Sequence, residues 1–242
     1  MIDEERLSEV VLKDVSVRLV EPNIYSVYPP GEMPGSYDRF GAATIYDLVA
    51  CNRFYNWLMW GYSTKDYTTL WKNAFAPSSE GWALDIACGS LAFTAKLYAN
   101  YSKRPVVLLD RSLHLLRKGK SRLAKRNGKV PANMLFLHAD AFQLPFKAES
   151  FSTIISLNLL HCLDNVRTVL KELKRVLTAD GTVALTTLVV SGTRWSDRYL
   201  SMLARSGAVV ARTVEDLLSI FDDLDMSVKH RIEGNLGFIN YR

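Results

Sequence analysis

Cysteine is scarce in this 242-residue chain: the three present, Cys51, Cys88 and Cys162, are an odd number with no CxxC pair and no Cys/His cluster. That argues against a disulfide framework and against a zinc site, so no metal is expected and a reduced cytoplasmic setting fits best. Long apolar runs are lacking too. The longest, around TIISLNLLHCL and VALTTLVV, carry polar residues and fall short of the roughly 20 residues a membrane span needs, and the charged opening MIDEERLSEVV has no apolar leader core. Glycine (13) and proline (8) are too ordinary in number for a collagen-like or low-complexity chain, and no internal repeat is visible.

What is present is apolar and aromatic: 48% hydrophobic and 11% aromatic residues, with a mean hydropathy of +0.01, describe a soluble chain with large surfaces to bury. The net charge of +5 is unevenly spread. Between Arg111 and Ala139 stand Arg111, Arg117, Lys118, Lys120, Arg122, Lys125, Arg126 and Lys129 without one carboxylate. This stretch reads either as a basic face for phosphates or as a solvated amphipathic helix; the absence of interleaved aromatics favours the second.

From residue 82 onward short β-rich runs alternate with helical periodicity, the signature of crossover units around a parallel sheet. WALDIA (82–87), PVVLLD (105–110), NMLFLH (133–138), FSTIISL (151–157) and TVALTTLVV (182–190) are the strands. Helices are expected from Leu91 to about Tyr101, from Ser112 to about Arg126, from about Asp164 to Leu177, and from Arg194 to Arg205. A further helix opens on a capping-box-like Thr213-Val214-Glu215-Asp216. MSVKHRI and LGFINY, separated by Glu233-Gly234-Asn235, are too close for a crossover and must form a hairpin. The fold expected is α/β: a Rossmann-like, doubly wound, mostly parallel seven-stranded sheet with an antiparallel C-terminal strand and a helical N-terminal extension. Residues 1–80 form that aromatic extension or lid and residues 81–242 the sheet domain, with the joint near Ala76-Pro77-Ser78-Ser79-Glu80.

In such a sheet the ligand lies beyond the carboxyl ends of the strands. Those ends carry Asp85 with the loop Ala87-Cys88-Gly89-Ser90, then Asp110, Asp140-Ala141, and Asn158 with His161. A carboxylate at the position of Asp110 suits the two hydroxyls of a ribose, although it also suits the cap of the next helix. The loop after the first strand lacks GxGxxG, and Asp85 would repel a pyrophosphate while attracting an ammonium group, so a dinucleotide is disfavoured.

LDIACGSLAFT, Asp110, HADAFQLPF, SLNLLHCLDN and LKELKRVLTADGTVALTT together resemble, in order and position, class I S-adenosylmethionine-dependent methyltransferases. The resemblance implies S-adenosyl-L-methionine as cofactor. It implies Asp85 and Ala87, Cys88 and Gly89 at the methionine portion, Asp110 at the ribose, Asp140 and Ala141 at the adenine, and Asn158 near the sulfonium. Ala87 and Leu91 replace two glycines of the family loop, which allow close backbone approach. The N-terminal aromatics are loosely similar to the entry segment of ubiquinone/menaquinone C-methyltransferases, which implies that Tyr37, Tyr46, Tyr55, Trp60 and Tyr62 line an acceptor pocket. Methyl transfer needs alignment above all, and a base is optional; His161 is the nearby titratable candidate.

The expected reaction is methyl transfer to a small, partly apolar molecule. An RNA methyltransferase and a non-catalytic S-adenosylmethionine-binding protein are the alternatives. No Asn/Asp-Pro-Pro-aromatic cluster follows the fourth strand, so a nucleic-acid partner is disfavoured.

Overall fold

The computed structural model describes residues 4–242 except 33, 34, 36, 37, 39–41, 76–79 and 102. The expected joint at Ala76–Glu80 falls almost wholly outside these residues, as does Tyr37.

The apolar runs become strands buried along their whole length: β3 (Trp82–Ile86), β4 (Val106–Asp110) and β5 (Met134–His138). Before them the chain forms α1 (Glu4–Ser8), β1 (Arg18–Glu21), β2 (Ile24–Ser26), α2 (Ala42–Val49), α3 (Arg53–Trp60) and α4 (Lys65–Ala74). Short α5 (Ala95–Ala99) follows β3, and α6 (Leu113–Asn127) follows β4. Then come β6 (Phe151–Leu157), α7 (Val166–Val176), β7 (Leu177–Leu188), α8 (Arg194–Arg205), α9 (Val214–Asp222), β8 (Val228–Glu233) and β9 (Leu236–Tyr241).

Alternate strand residues feed two apolar layers, as the two-residue period of a pleated strand requires. Leu84, Ile86, Val107 and Leu109 pack with Val169, Leu173 and Phe221 of α7 and α9. Ala83, Val106, Leu108 and Phe136 pack with Tyr67, Tyr98, Leu116 and Leu200 of α4, α5, α6 and α8. The result is helix, sheet, helix.

The strand order is β1-β2-β5-β4-β3-β6-β7-β9-β8. From β3 the chain winds outward through β4 to β5, then returns to place β6 on the other side of β3, so the order reverses between β3 and β6. β9 runs antiparallel to β7, as the short hairpin loop demands.

The sheet has nine strands where seven were expected, because the N-terminal segment contributes a hairpin. β1 and β2 pair antiparallel, and β2 adds parallel to β5 with Tyr25 opposite Leu137. Pro22 and Asn23, the latter at φ 69°, make the tight turn. The N-terminal extension is therefore partly β. Helix α5 is also shorter than the stretch expected from Leu91, since Leu91 stands at φ 55° and cannot begin a right-handed helix.

The basic α6 is neither a free phosphate face nor simply solvated. Arg117 and Lys120 meet Glu21, and Lys118 and Arg122 meet Asp47, so four of its cations tie α6 to β1 and α2.

Candidate active site

The loop between β3 and α5 turns sharply through three left-handed residues, Ala87 (φ 54°), Gly89 (φ 57°) and Leu91 (φ 55°). For Ala and Leu this conformation costs roughly 1–2 kcal/mol each. Two features oppose that cost. The Cys88 amide donates to the Leu109 carbonyl at 3.0 Å, and the Leu91 side chain is 1% exposed in the core. A side chain added at Gly89 would meet nothing within 4 Å, which is the openness a ligand lying on the loop requires.

Asp110, at the tip of β4, accepts from the Gly89 amide through Oδ2 and from the Ser112 amide through Oδ1, both at 2.8 Å. Ser112 caps α6, as its position in the sequence suggests, so Asp110 holds the loop and the helix start at once. Burial raises its carboxyl to about 6 against the pull of these amides.

Asp85 lies deeper. Its Oδ2 accepts from the Tyr98 hydroxyl at 2.8 Å, while its Oδ1 is buried with no hydrogen-bond partner. Burial lifts its carboxyl to about 7, with Tyr98 opposing and Asp110 adding to the rise. An unpartnered buried carboxylate oxygen fits a cationic ligand group.

Asp140, beyond β5, accepts from the Phe142 amide at 3.0 Å and pairs with Arg111 at 3.4 Å. Asn158, just past β6 at φ 61°, is the half-buried start of a hydrogen-bond chain that runs into the core. Thr186 donates to Asn158 Oδ1 (3.3 Å) and Asn158 Nδ2 donates to the Tyr67 hydroxyl (2.7 Å). Tyr67 in turn donates to Tyr62 (2.6 Å), and Tyr62 donates to Asn56 Oδ1 (2.5 Å). Asn56 passes its amide protons to the Ala50 and Asn52 carbonyls. The strand tip is thus wired to α3.

His161 is buried, and burial together with Arg212 lowers its imidazole to about 4. The Leu188 amide donates to its Nδ1 at 3.2 Å, so the ring proton of the neutral form sits on Nε2. His138 instead bridges Ser26 (3.1 Å) and the Arg111 carbonyl (3.1 Å), tying β2 to the tip of β4.

One cavity of about 380 Å³ is lined by Ala87, Gly89, Asp110, Asp140, Ala141, Asn158, His161, Tyr55, Trp60 and Tyr62. Asp85 and Cys88 line an adjoining hollow that shares Ala87, Gly89 and Asn158 with it. Tyr46 belongs to α2, but its side chain lies outside the described residues, like all of Tyr37. The sequence did not single out Tyr98, Tyr67, Asn56, Leu203 or Val209. The first three are recognisable only once distant segments meet, and the last two belong to helix α8 and the loop after it, beyond the alternating region.

The strand order is that of the Rossmann-like methyltransferase fold. The comparisons point the same way: residues 84–185 match the methyltransferase domain family. A malonyl-[acyl-carrier protein] O-methyltransferase of Legionella pneumophila is 29% identical over 105 residues, 43% of this chain and 35% of that protein. An uncharacterized chloroplastic methyltransferase of Arabidopsis thaliana is 28% identical over 116 residues, 48% of this chain and 33% of that protein. The match thus spans about a third of the length of these curated relatives.

Among solved structures, a Haemonchus contortus phosphoethanolamine N-methyltransferase bound to S-adenosylhomocysteine superposes with TM-score 0.62 at 13% identity, covering 88% of this chain and 60% of that one. The Streptomyces coelicolor geranyl diphosphate C-methyltransferase, also bound to S-adenosylhomocysteine, gives 0.59 at 10% identity over 74% and 77%. These likenesses concern the fold.

Proposed function

We propose that this chain transfers a methyl group from S-adenosylmethionine to a small, partly apolar molecule. The observation that carries the reading is one cavity lined both by the carboxylates Asp110 and Asp140 and by the apolar side chains Trp60, Leu163, Leu203 and Val209. When bound, the cofactor supplies an electrophilic methyl carbon on a sulfonium.

The chain's own residues do the rest. Asp110, its two oxygens already aimed by backbone amides, keeps a second lone pair on each for the ribose hydroxyls. The unpaired oxygen of Asp85 receives the ammonium of the methionine portion, with Ala87, Cys88 and Gly89 beneath it. Asp140 and Ala141 border the adenine, and Asn158, fixed by Thr186 and Tyr67, sets the edge between cofactor and acceptor.

Tyr55, Trp60 and Tyr62 exclude water from the acceptor end, where proximity and orientation supply most of the rate. His161 serves here as a hydrogen-bond donor through Nε2, orienting an acceptor oxygen, since its Nδ1 is already occupied by the Leu188 amide. The engagement of four α6 cations by Glu21 and Asp47 weighs against RNA as the acceptor.

The test is calorimetric titration with S-adenosylmethionine and S-adenosylhomocysteine, followed by detection of S-adenosylhomocysteine formed with candidate acceptors. Binding without turnover on any apolar acceptor supports a sensor instead, and stabilisation by a nicotinamide dinucleotide alone overturns the reading.

A further inference from the structure

Helices α3 and α8 lie side by side, joined by a hydrogen bond between the Tyr55 and Tyr199 hydroxyls (2.9 Å) and by the Trp60 and Tyr199 rings at 5.2 Å. Their inner sides line the cavity through Tyr55, Trp60 and Leu203. Their outer sides are apolar and bare. Phe54, Trp57 and Leu58 on α3 and Trp195 and Met202 on α8 are each more than half exposed. Trp195 and Met202 occupy the same α8 stripe as Tyr199, four residues before and three after it, while Leu58 is one turn from Tyr55. The Phe54 and Trp57 rings touch at 6.0 Å. The exposed side chains therefore form one surface beside the cavity.

The exposed charges that α3 and α8 carry among the described residues have one sign. Arg53, Arg198 and Arg205 are exposed and pair with no carboxylate among the described residues. The carboxylates of α2, α3 and α8 are Asp47 and Asp197. Both turn inward, Asp47 to Lys118 and Arg122, and Asp197 to the Ser191 amide and to Asn235 Nδ2.

We infer that this face rests on an anionic lipid bilayer, its aromatic and aliphatic side chains entering the headgroup boundary and its arginines meeting lipid phosphates. Apolar bulk on one side ringed by unpaired cations is what such an interface selects. A second copy fits poorly, because a two-fold contact would set the same arginines against each other with no carboxylate between. A protein partner usually takes its anchors into a pocket or offers one, and none of these five side chains lines either cavity. No described helix is long and apolar enough to cross a membrane, so the contact is peripheral. It deepens the methyl-transfer reading, on which its purpose rests: an acceptor dissolved in lipid would reach the apolar side chains lining the cavity without crossing water.

The experiment is vesicle flotation of the full chain, using phosphatidylcholine alone and phosphatidylcholine with a one-third share of phosphatidylglycerol. The chain is expected to float with the anionic vesicles and to be released by high salt. The pair Trp57→Ser and Trp195→Ser should reduce partitioning about tenfold or more, and Arg198→Glu with Arg205→Glu by a similar factor. Unchanged melting temperature and S-adenosylhomocysteine affinity show that each variant is folded.

Absence of flotation, or flotation indifferent to these substitutions, overturns the proposal. So does a dimer that the serine variants dissolve, or retention on polyglutamate without flotation, which would assign the face to a second copy or to an acidic protein. S-adenosylhomocysteine binding without flotation sinks the lipid face alone, whereas flotation without S-adenosylhomocysteine binding sinks the methyl-transfer reading alone.

Discussion

The Gly89 amide donates to Asp110 Oδ2 across 2.8 Å, so the loop after β3 and the tip of β4 form one cradle before any ligand arrives. Replacing Asp110 by Asn removes the charge while keeping the size. The expected cost to S-adenosylhomocysteine binding is about 2 kcal/mol, close to thirtyfold. Calorimetry reads it directly, and an unchanged affinity removes Asp110 from the site.

Ala87 and Leu91 share a left-handed backbone but should respond oppositely to glycine. At Ala87, half-buried beside the cavity, relief of strain outweighs the added freedom of the unfolded chain, and Ala87→Gly should stabilise by up to about 1 kcal/mol. At Leu91, 1% exposed, Leu91→Gly discards a core side chain and should destabilise by about 2–5 kcal/mol. Denaturant melts of the pair decide the matter.

Asp85 links pH to both stability and binding. Its carboxyl is raised from 3.8 to about 7, so the stability of the protonated form is fully present below about pH 4 and is lost as pH rises through about 7. Asp85→Asn should therefore raise the melting temperature of the free chain relative to the parent at pH 8, with the difference vanishing toward pH 4. His161 acts in the other direction. Lowered from 6.5 to about 4, it withdraws stability as pH falls across that interval, in the parent and the variant alike. Cofactor affinity of the parent should strengthen from pH 6 to 8 as Asp85 ionises to meet an ammonium, with proton release in the calorimeter near neutrality; Asp85→Asn should lose that dependence.

Tyr67→Phe keeps the ring and deletes the hydroxyl that receives Asn158 Nδ2 and donates to Tyr62. The buried Tyr62 and the half-buried Asn158 are left short, and about 1–3 kcal/mol of stability should go. If Asn158 is held for catalysis by this hydroxyl, turnover should fall while S-adenosylhomocysteine affinity barely changes.

Much of the sheet domain was legible because its signals are local. Ser112 at the head of α6, the Thr213 and Asp216 capping box of α9 and the hairpin before β9 each follow from neighbouring residues; the hairpin turn is one residue tighter than expected, because Glu233 joins β8. What escaped depends on partners far along the chain. β1 and β2 are four and three residues long and become strands only because β5 offers them an edge. Glu21 meets Arg117, and Asn158 meets Tyr67, across separations that no periodicity encodes. The tautomer of His161 is likewise set by an amide on β7. The acidic strand tips were readable; the tyrosine chain that stiffens one of them was not.

The small hairpin at the start of the chain also shields its neighbour. Without it, the five wholly buried residues of β5 would offer an open margin of amides and carbonyls to any passing strand, the geometry by which sheets fuse end to end. With it, the outermost strand is short and irregular between Leu19 and Glu21, a poor template for a stranger. Chains trimmed past residue 26 should therefore clump before they unfold.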